Sequence, residues 1–315
     1  MPHRAEYYER PCKSALNRVD GMQFRWSLNP YRGCVHECRY CFARPTHRYF
    51  ELGMGQDFAR VIFVKSNLPE VLARELSRRT WRREVVAVGT ATDPYQPIEG
   101  RYRLTRRALE LFAWYRTPVS IITKGSMVVR DLDVLEELTK GAGATVCFSI
   151  PTVDTEIWRR TEPGTPPPAQ RLKAMERLVE SGVHAGVLMA PLLPGLSAMP
   201  ASIIPTARAA AEHGAAFIGS SVLHLGPELH DYFVGFLAAE YPDLVTTYDE
   251  LYGAKKYAPD SYRRHVERRL QRAKEAAGYA DSTRRWIEDA PAAARQETLP
   301  LFGPVEERVL SAALS

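Results

Sequence analysis

The chain has 315 residues, of which 45% are hydrophobic and 25% are charged, with a formal net charge of +5. This composition is typical of a globular protein with one large core and excludes a chain too polar to fold. No run of 18 apolar residues and no apolar leader are found, so we expect no membrane span, no secretory signal and a cytoplasmic location. The five cysteines form an odd, clustered set, which favours metal binding over a disulfide framework.

The first informative stretch is a loop rich in cysteine. Residues 1–25 are polar and are predicted to be an irregular lead-in, and Trp26 to Asn29 is predicted to be a short strand. The strand leads into Cys34, Cys38 and Cys41, spaced C-x3-C-x2-C. Short cysteine spacings of this kind hold iron–sulfur clusters. Because no fourth cysteine is near, three thiolates on a four-iron cluster leave one iron open, as chemical rather than structural metal sites do.

The same cysteines suit a second interpretation, a structural zinc site. Zinc usually takes four closed ligands, and His36 is the candidate for the fourth. The chain would then be a non-catalytic nucleic-acid-binding protein with a structural metal. Against this, His36 and the cysteines crowd into one short loop, and the sequence offers no second ligand pair elsewhere.

The flanking residues resemble a known family. C-x3-C-x-aromatic-C resembles the signature of the radical S-adenosylmethionine (SAM) enzymes, and Asn29-Pro30-Tyr31-Arg32-Gly33 and Tyr40-Cys41-Phe42 resemble its spore photoproduct lyase-like branch, in particular uncharacterised actinobacterial-type members. The resemblance implies a [4Fe–4S] cluster whose open iron chelates the amino and carboxylate groups of SAM. It also implies a flavodoxin- or ferredoxin-type electron donor, cleavage of SAM to methionine and a 5′-deoxyadenosyl radical, and a lyase-like reaction.

Beyond this loop, apolar strands alternate with helices. The predicted strands cover residues 60–65, 84–89, 118–123, 144–150, 184–190 and 216–223, and the predicted helices cover 68–79, 104–115, 132–140, 168–181 and 199–213. Such alternation indicates βαβ units around a parallel sheet. We therefore predict an α/β fold, a TIM-like partial (β/α)6 barrel over residues 26–225. A C-terminal helical extension over 226–290 and a polar tail over 291–315 are expected to follow it.

Residues at the carboxyl ends of the strands are the candidates for cofactor binding, because active sites of parallel barrels collect there. These candidates are Ala91, Thr92, Asp93, Lys124 and Ser149. The resemblance places the first three at the SAM amino group, although Asp-Pro also favours a plain solvated turn. It places Lys124 at the SAM carboxylate, the simpler alternative being a surface lysine. Ser149 is a candidate partner of the SAM ribose or carboxylate.

Further candidates lie close to these positions. Tyr40 and Phe42 flank Cys41 and are candidates to stack on adenine, the alternative being core packing. The candidates for catalytic groups are Tyr95, Glu99 and Cys147. Strand alternation places Cys147 on the face of Ser149, although a free cysteine is more often a small buried hydrophobe. The lyase branch carries a hydrogen-donor cysteine after the second strand, where this chain has GTATD, so the same donor is absent.

Positive charge is concentrated near the C-terminus, where residues 254–274 hold eight Lys/Arg and two Asp/Glu. The predicted helix there has an apolar stripe made of Tyr262, Val266, Leu270, Ala273 and Ala277. Its arginines Arg263, Arg264, Arg268 and Arg272 project elsewhere. Such a helix can hold phosphates, and it can equally be a solvated surface helix. The sequence thus favours nucleic acid as a substrate.

The polar tail contains QETLPLFG, residues 296–303. It loosely resembles the peptide with which bacterial DNA-processing proteins dock on the replication sliding clamp, although Gln296 lies three residues before Leu299 instead of directly before it. Residues 296–302 are therefore a candidate clamp contact. The alternative is that the tail packs on its own barrel, as termini often do.

Overall fold

The computed structural model describes residues 5–20, 22, 24–253 and 255–280. The strands are β1 (Glu6–Glu9), β2 (Leu16–Arg18), β3 (Trp26–Leu28), β4 (Tyr31–Arg32), β5 (Val61–Val64), β6 (Val86–Val88), β7 (Val119–Thr123), β8 (Ala144–Ser149), β9 (His184–Leu192) and β10 (Ile218–Val222). The α-helices are α1 (Asp57–Arg60), α2 (Leu68–Leu76), α3 (Glu99–Tyr102), α4 (Leu104–Trp114), α5 (Leu132–Gly141), α6 (Thr155–Thr161), α7 (Pro168–Glu180), α8 (Pro200–Glu212), α9 (Pro227–Glu240), α10 (Val245–Leu251) and α11 (Asp260–Ala276).

The main sheet has seven strands in the order β10-β9-β8-β7-β6-β3-β2. Only β2 runs antiparallel to its neighbour, and the other six strands pair in parallel. Helices connect most of these parallel strands, which confirms the predicted partial (β/α)6 barrel. The predicted run at residues 60–65 does form a strand, but β5 lies in a separate three-stranded sheet of order β1-β5-β4.

The two faces of the barrel strands differ in side-chain size. The helix-facing side is apolar, and residues such as Val88, Ile121 and Phe148 belong to the main core cluster. On the other face, Ser27 pairs with Ala87, which pairs with Ser120, which pairs with Thr145. The row then continues to His184 on β9. We call the edge formed by the carboxyl ends of the parallel strands the mouth of the barrel.

The predicted irregular lead-in was wrong, because residues 5–20 contribute two strands. β1 pairs in parallel with β5, and β2 extends the main sheet beside β3. The segment between them is fastened by Asn67, whose Oδ1 accepts a hydrogen bond from Cys12 N at 2.7 Å and whose Nδ2 donates to Cys12 O at 3.1 Å. Backbone pairing at sheet edges therefore orders a polar segment that carries no strand pattern of its own.

The C-terminal extension is helical over its described part. On α11, Val266, Leu270 and Ala273 are buried in the main core cluster. Lys274 Nζ donates to Ile218 O at 3.1 Å, and Ile218 begins β10, so α11 runs from the barrel mouth towards the opposite end. No helix among the described residues is both long and apolar enough to cross a membrane. Residues 296–302, the candidate clamp contact, lie outside the described residues.

Candidate active site at the cysteine loop

The cysteine loop, residues 33–44, begins with a turn that requires glycine. Gly33 has φ +81°, and a Cβ built on it would lie 2.6 Å from Val61 O. The loop then folds back so that Cys34 (6% exposed) and Cys38 (8% exposed) are buried and Cys41 is half-buried. All three cysteines are free thiols. Because glycine tolerates this left-handed conformation, Gly33 can form the turn that leads the chain into the sheltered loop with the three thiols.

Arg44 holds this loop from inside. Its side chain is fully buried, its Nε donates to Cys38 O at 2.9 Å, and its Nη2 donates to Glu37 O at 3.0 Å. Its Nη1 donates to Met54 O at 3.0 Å and to Gly55 O at 2.8 Å. Sequence reasoning missed Arg44, because nothing local separates a buried arginine from a surface one.

The donor set fits an iron–sulfur cluster. Cluster thiolates bind different irons and need not converge on one point. In the described part of the chain, no three His, Cys, Asp or Glu side chains are grouped closely enough for a single metal ion. His36, the candidate fourth zinc ligand, has its Nδ1 3.3 Å from Asp93 Oδ2. Burial raises the pKa of the Cys38 and Cys41 thiols, so binding iron there must release protons.

The loop after β6 reaches the cysteine loop. Asn29 Oδ1 accepts a hydrogen bond from Ala91 N at 2.9 Å, and Thr92 Oγ1 donates to Tyr31 O at 2.7 Å. Ala91 packs against the small apolar cluster that contains Cys34. Two stretches singled out separately in the sequence are thus neighbours in space.

The carboxylate of Asp93 is hydrogen-bonded by neighbouring groups of the protein itself. Its carboxylate accepts hydrogen bonds from Lys124 N at 2.6 Å, Thr123 Oγ1 at 2.7 Å and Tyr95 N at 2.9 Å. Burial by itself would raise the pKa of Asp93, but the charge of His36 and these hydrogen bonds lower it to about 2. Asp93 is therefore ionised and fixes the ends of β6 and β7 relative to each other.

Lys124 and Ser149 meet at the mouth. Lys124 Nζ donates to Ser149 Oγ at 2.8 Å, and Ser149 Oγ donates to Ala190 O at 2.8 Å. Both side chains are largely buried. The structure therefore brings together two cofactor candidates that lie 25 positions apart in the sequence.

A buried ionic network joins this pair to the cysteine loop. Glu162 Oε2 lies 2.6 Å from Arg171 Nη2, its Oε1 lies 3.7 Å from Lys124 Nζ, and Tyr40 OH donates to it. Arg171 Nη1 donates to Ser149 O at 2.8 Å. Burial would raise the pKa of Glu162, but the charges of Arg171 and Lys124 lower it. Lys124 and Arg171 thus share the single carboxylate of Glu162, and this arrangement favours binding of an anion at the mouth. Sequence reasoning missed Glu162 and Arg171.

The two aromatic candidates differ in accessibility. Tyr40 is buried and tied by its hydroxyl, whereas Phe42 is 48% exposed. The Phe42 ring centroid lies 5.6 Å from that of His224, which lies 6.1 Å from that of Tyr257. Burial and the charge of Lys256 lower the pKa of His224 to about 4, so its ring is neutral near pH 7. Phe42 therefore offers the open aromatic face beside the thiols.

The catalytic candidates have different surroundings. Glu99 accepts hydrogen bonds from Tyr31 OH at 2.5 Å and Arg130 Nη2 at 2.9 Å, and Tyr95 packs in the main core cluster. Both serve the scaffold, and their catalytic roles stay predictions. Cys147 is fully buried and pairs with Ile122, and burial raises the pKa of its thiol to about 12. It stays protonated at neutral pH, as a donor of a hydrogen atom must.

Comparison with known proteins identifies the class. Residues 28–200 match the Radical SAM superfamily, and the chain belongs to that superfamily of enzymes, which implies a [4Fe–4S] cluster and SAM. The chain is 41% identical to an uncharacterised protein of Mycobacterium tuberculosis, over 84% of this chain and 78% of the relative. It is 26% identical to an uncharacterised protein of Methanocaldococcus jannaschii, over 62% of this chain and 71% of the relative.

The fold is similar to that of spore photoproduct lyase. The comparison is with a mutant of that enzyme solved with bound AdoMet and dinucleoside spore photoproduct. The TM-score is 0.66 at 17% sequence identity, covering 86% of this chain and 79% of the other. The spore photoproduct lyase-like resemblance of the sequence is thereby confirmed at the level of fold.

Proposed function

We propose that this radical SAM enzyme binds its [4Fe–4S] cluster through Cys34, Cys38 and Cys41 and cleaves SAM reductively to start hydrogen abstraction from a substrate. The observation that carries the proposal is the network at the mouth. Lys124 and Ser149 are joined through Glu162 and Tyr40 to the loop that holds the thiols. The groups proposed to bind an anion and the groups proposed to bind the cluster therefore lie close together.

Each part of SAM has a candidate partner. Lys124 would bind the carboxylate, because an ammonium group in a sheltered mouth binds carboxylates strongly. Ser149 would bind the ribose or the carboxylate, and the backbone of Ala91 and Thr92 would receive the amino group. Phe42 would stack on the adenine. When bound, the cluster and SAM supply a 5′-deoxyadenosyl radical, and this chain orients the cofactor and excludes water.

For the substrate, we propose nucleic acid. The similar lyase structure contains a dinucleoside, which supports a nucleotide-sized substrate for this fold. The exposed ring of Phe42 and the exposed Arg264 near the start of α11 also suit a nucleobase and a phosphate. The hydrogen donor must differ from that of the lyase branch, because GTATD contains no cysteine, and Cys147 is the protonated thiol on the interior face.

Anaerobic turnover tests the proposal. Reconstituted wild-type protein given dithionite and SAM should produce 5′-deoxyadenosine, and Cys38→Ala should lose both the brown absorbance and the product. Cys12→Ala, a cysteine outside the loop, should keep both. A Cys38→Ala variant that still makes 5′-deoxyadenosine would contradict the assignment. Deuterium exchange into 5′-deoxyadenosine, followed with candidate nucleic acids, would identify the substrate.

The non-catalytic alternative makes a different prediction. A structural zinc protein should contain zinc after anaerobic purification, with neither iron nor sulfide, and should not cleave SAM. Membership of the radical SAM superfamily favours iron and sulfide.

The candidate clamp contact stays a prediction, and no similarity found for the chain supports it. A peptide of residues 294–304 that binds clamp with a Kd of about 1 μM, and loses binding on Phe302→Ala, would establish it. Absence of binding, with a lower thermal midpoint for the same substitution in the whole protein, would show that the tail packs on the barrel.

A further inference from the structure

The small three-stranded sheet β1-β5-β4 has two unlike faces. Its inner face is apolar and belongs to a buried cluster. On its outer face, Tyr8 on β1 pairs with Phe63 on β5, and Phe63 pairs with Arg32 on β4. Glu6, two residues before Tyr8 on the same face, accepts a hydrogen bond from Tyr8 OH at 2.6 Å. Two aromatic side chains and one arginine therefore lie side by side on the face turned away from the buried cluster.

Arginine side chains lie over the aromatic rings of this outer face. The guanidinium carbon of Arg10 is 5.8 Å from the Phe63 ring centroid, and that of Arg32 is 5.5 Å from the ring centroid of Phe50. The Phe50 and Phe63 centroids are 4.4 Å apart. Both arginines are exposed, and Tyr8 is 45% exposed. The outer face therefore presents planar cations and an aromatic ring to solvent.

Lys65 follows β5 and lies at the edge of the same sheet. Its backbone N donates to Pro30 O at 3.1 Å, and Arg10 N donates to Val64 O at 2.9 Å. The Lys65 side chain is only 9% exposed, yet no hydrogen bond or ion pair of its ammonium group is found within the described part of the chain. Burying an amine without an acceptor is costly. The position therefore suits an anion that supplies the missing acceptor.

Positive charge at this edge of the sheet is not balanced. Burial and then the charge of Arg32 lower the pKa of Lys65 to about 8, against the smaller effect of Glu75. Glu75 already accepts hydrogen bonds from residues 14–16. Among the residues that the structure describes, neither Arg10 nor Arg32 forms an ion pair. We call the surface made by Tyr8, Arg10, Arg32, Phe50 and Lys65 the outer patch.

We propose that the outer patch binds a single-stranded nucleic acid, with phosphates on its cations and a base stacked on the exposed ring of Tyr8. Proteins that bind single strands combine basic surfaces with aromatic rings in this way. Arg32 lies four residues after Leu28, the last residue of β3, so its Cα is within about 14 Å of that strand end at the mouth. One strand can therefore contact the mouth and the patch. The inference deepens the proposed nucleic-acid substrate and rests on it.

Fluorescence anisotropy with a labelled single-stranded DNA 20-mer tests the cations of the patch. Arg10→Ala and Arg32→Ala should each weaken binding several-fold and reduce the slope of log K against log salt by about 1, as expected for the loss of one phosphate contact. The matched control is Arg177→Ala, which removes an exposed arginine on α7 and should bind like the wild type.

Two further variants separate binding from folding and bases from phosphates. Lys65→Met should also weaken binding, while its thermal midpoint stays equal or rises, because the variant removes a buried amine that has no acceptor. Tyr8→Ala should weaken binding of the 20-mer about fivefold or more. It should leave binding of an abasic strand of the same length unchanged, because that strand has no bases to stack.

Four results would contradict the proposal. Equal binding by wild type, Arg10→Ala, Arg32→Ala and Lys65→Met would remove the outer patch and leave a contact at the mouth intact. Equal loss of the 20-mer and the abasic strand in Tyr8→Ala would remove the stacked base. Displacement of the 20-mer by an equal concentration of a poly-glutamate peptide would make the patch a site for acidic proteins. Undetectable binding by the wild type at low salt would remove both the patch and the nucleic-acid substrate.

The proposed radical chemistry is measured separately on the same preparations. If wild-type protein with dithionite and SAM yields no 5′-deoxyadenosine, the proposed function fails. The anisotropy titrations need neither the cluster nor SAM, so they still decide whether the outer patch binds a strand.

Discussion

Lys124 Nζ donates a 2.8 Å hydrogen bond to Ser149 Oγ, across the ends of two parallel strands. The register of β7 and β8 sets Thr123 beside Phe148, so the next residue of each strand also lies side by side. Burial by itself would lower the pKa of Lys124, but its acidic neighbours, Glu162 first among them, together raise it. A charged ammonium group and a hydroxyl are thus assembled at the mouth before any ligand arrives.

The first prediction concerns SAM affinity. Lys124→Ala should raise the Kd for SAM by about tenfold to 100-fold, because hydrogen bonds to charged groups contribute about 1.5–3 kcal/mol. Equilibrium dialysis with labelled SAM on the reconstituted protein measures the change. Lys140→Ala, an exposed lysine at the end of α5, is the matched control and should bind like the wild type. Equal affinity of Lys124→Ala and wild type would remove Lys124 from the SAM site.

The second prediction concerns the buried pair of Glu162 and Arg171. Glu162→Gln should lower the free energy of unfolding by about 3 kcal/mol, because removing one partner leaves Arg171 buried without its counter-charge. The double variant Glu162→Gln/Arg171→Met should recover part of this loss, since an apolar pair is often tolerated in place of a buried ion pair. Urea unfolding measures both. A loss below about 1 kcal/mol in the single variant would show that the pair does not stabilise the fold.

The same pair has a defined pH dependence. The pKa of Glu162 is lowered from its usual 4.5 in the folded protein. Its contribution to the free energy of unfolding is therefore fully present above pH 4.5 and is lost as the pH falls through the folded-state pKa. The stability difference between wild type and Glu162→Gln should therefore shrink in acid. Thermal midpoints measured between about pH 3 and pH 7 check the sign. A difference that grows in acid would mean that Glu162 is protonated in the folded protein.

The third prediction concerns the turn that starts the cysteine loop. Gly33→Ala places a Cβ 2.6 Å from Val61 O at a φ of +81°, so the turn must shift. The variant should bind less iron per chain on reconstitution and should be less stable by roughly 1–3 kcal/mol. Gly141→Ala is the matched control, because a Cβ there meets nothing within 4 Å. Wild-type iron content in Gly33→Ala would show that the loop tolerates another backbone path.

The barrel and its strand ends could be predicted because they obey local rules. Apolar strands alternate with helices, and residues after Val88, Ile122 and Phe148 must meet at one edge of a parallel sheet. The network around Glu162 could not be predicted, because it depends on contacts between separate segments, which for Tyr40 and Glu162 lie 122 positions apart. Local pattern carries no signal for such contacts, nor for the burial of Arg171.

The two strands of the N-terminal segment were also not predicted. β1 and β2 exist because neighbouring strands offer free backbone groups, so the lead-in is ordered by its partners and not by its own sequence. Asp93 also depends on its neighbours. Its ionised carboxylate would suit a cofactor, but it already accepts hydrogen bonds from Thr123 and Lys124 at the end of β7. A residue type shows what chemistry a position can do, and the packed neighbours decide whether it is free to do it.

The last prediction concerns nucleic acid at the barrel mouth. Helix α11 starts after Tyr257, which bridges to His224 beyond the end of β10, and its Lys274 reaches the start of β10. The exposed Arg264 therefore lies near the mouth, while the exposed Arg272 lies near the opposite end. A strand whose base enters the mouth should contact Arg264 and should not reach Arg272.

Fluorescence anisotropy with a single-stranded DNA 20-mer separates these two arginines. Arg264→Ala should weaken binding several-fold and reduce the slope of log K against log salt by about 1, the change expected for losing one phosphate contact. Arg272→Ala, the same change on the same helix, should alter neither quantity. Equal losses in both variants would mean that the helix binds along its length, away from the mouth. Undetectable affinity of the wild type at low salt would remove nucleic acid as the substrate and turn the search to peptides or small molecules.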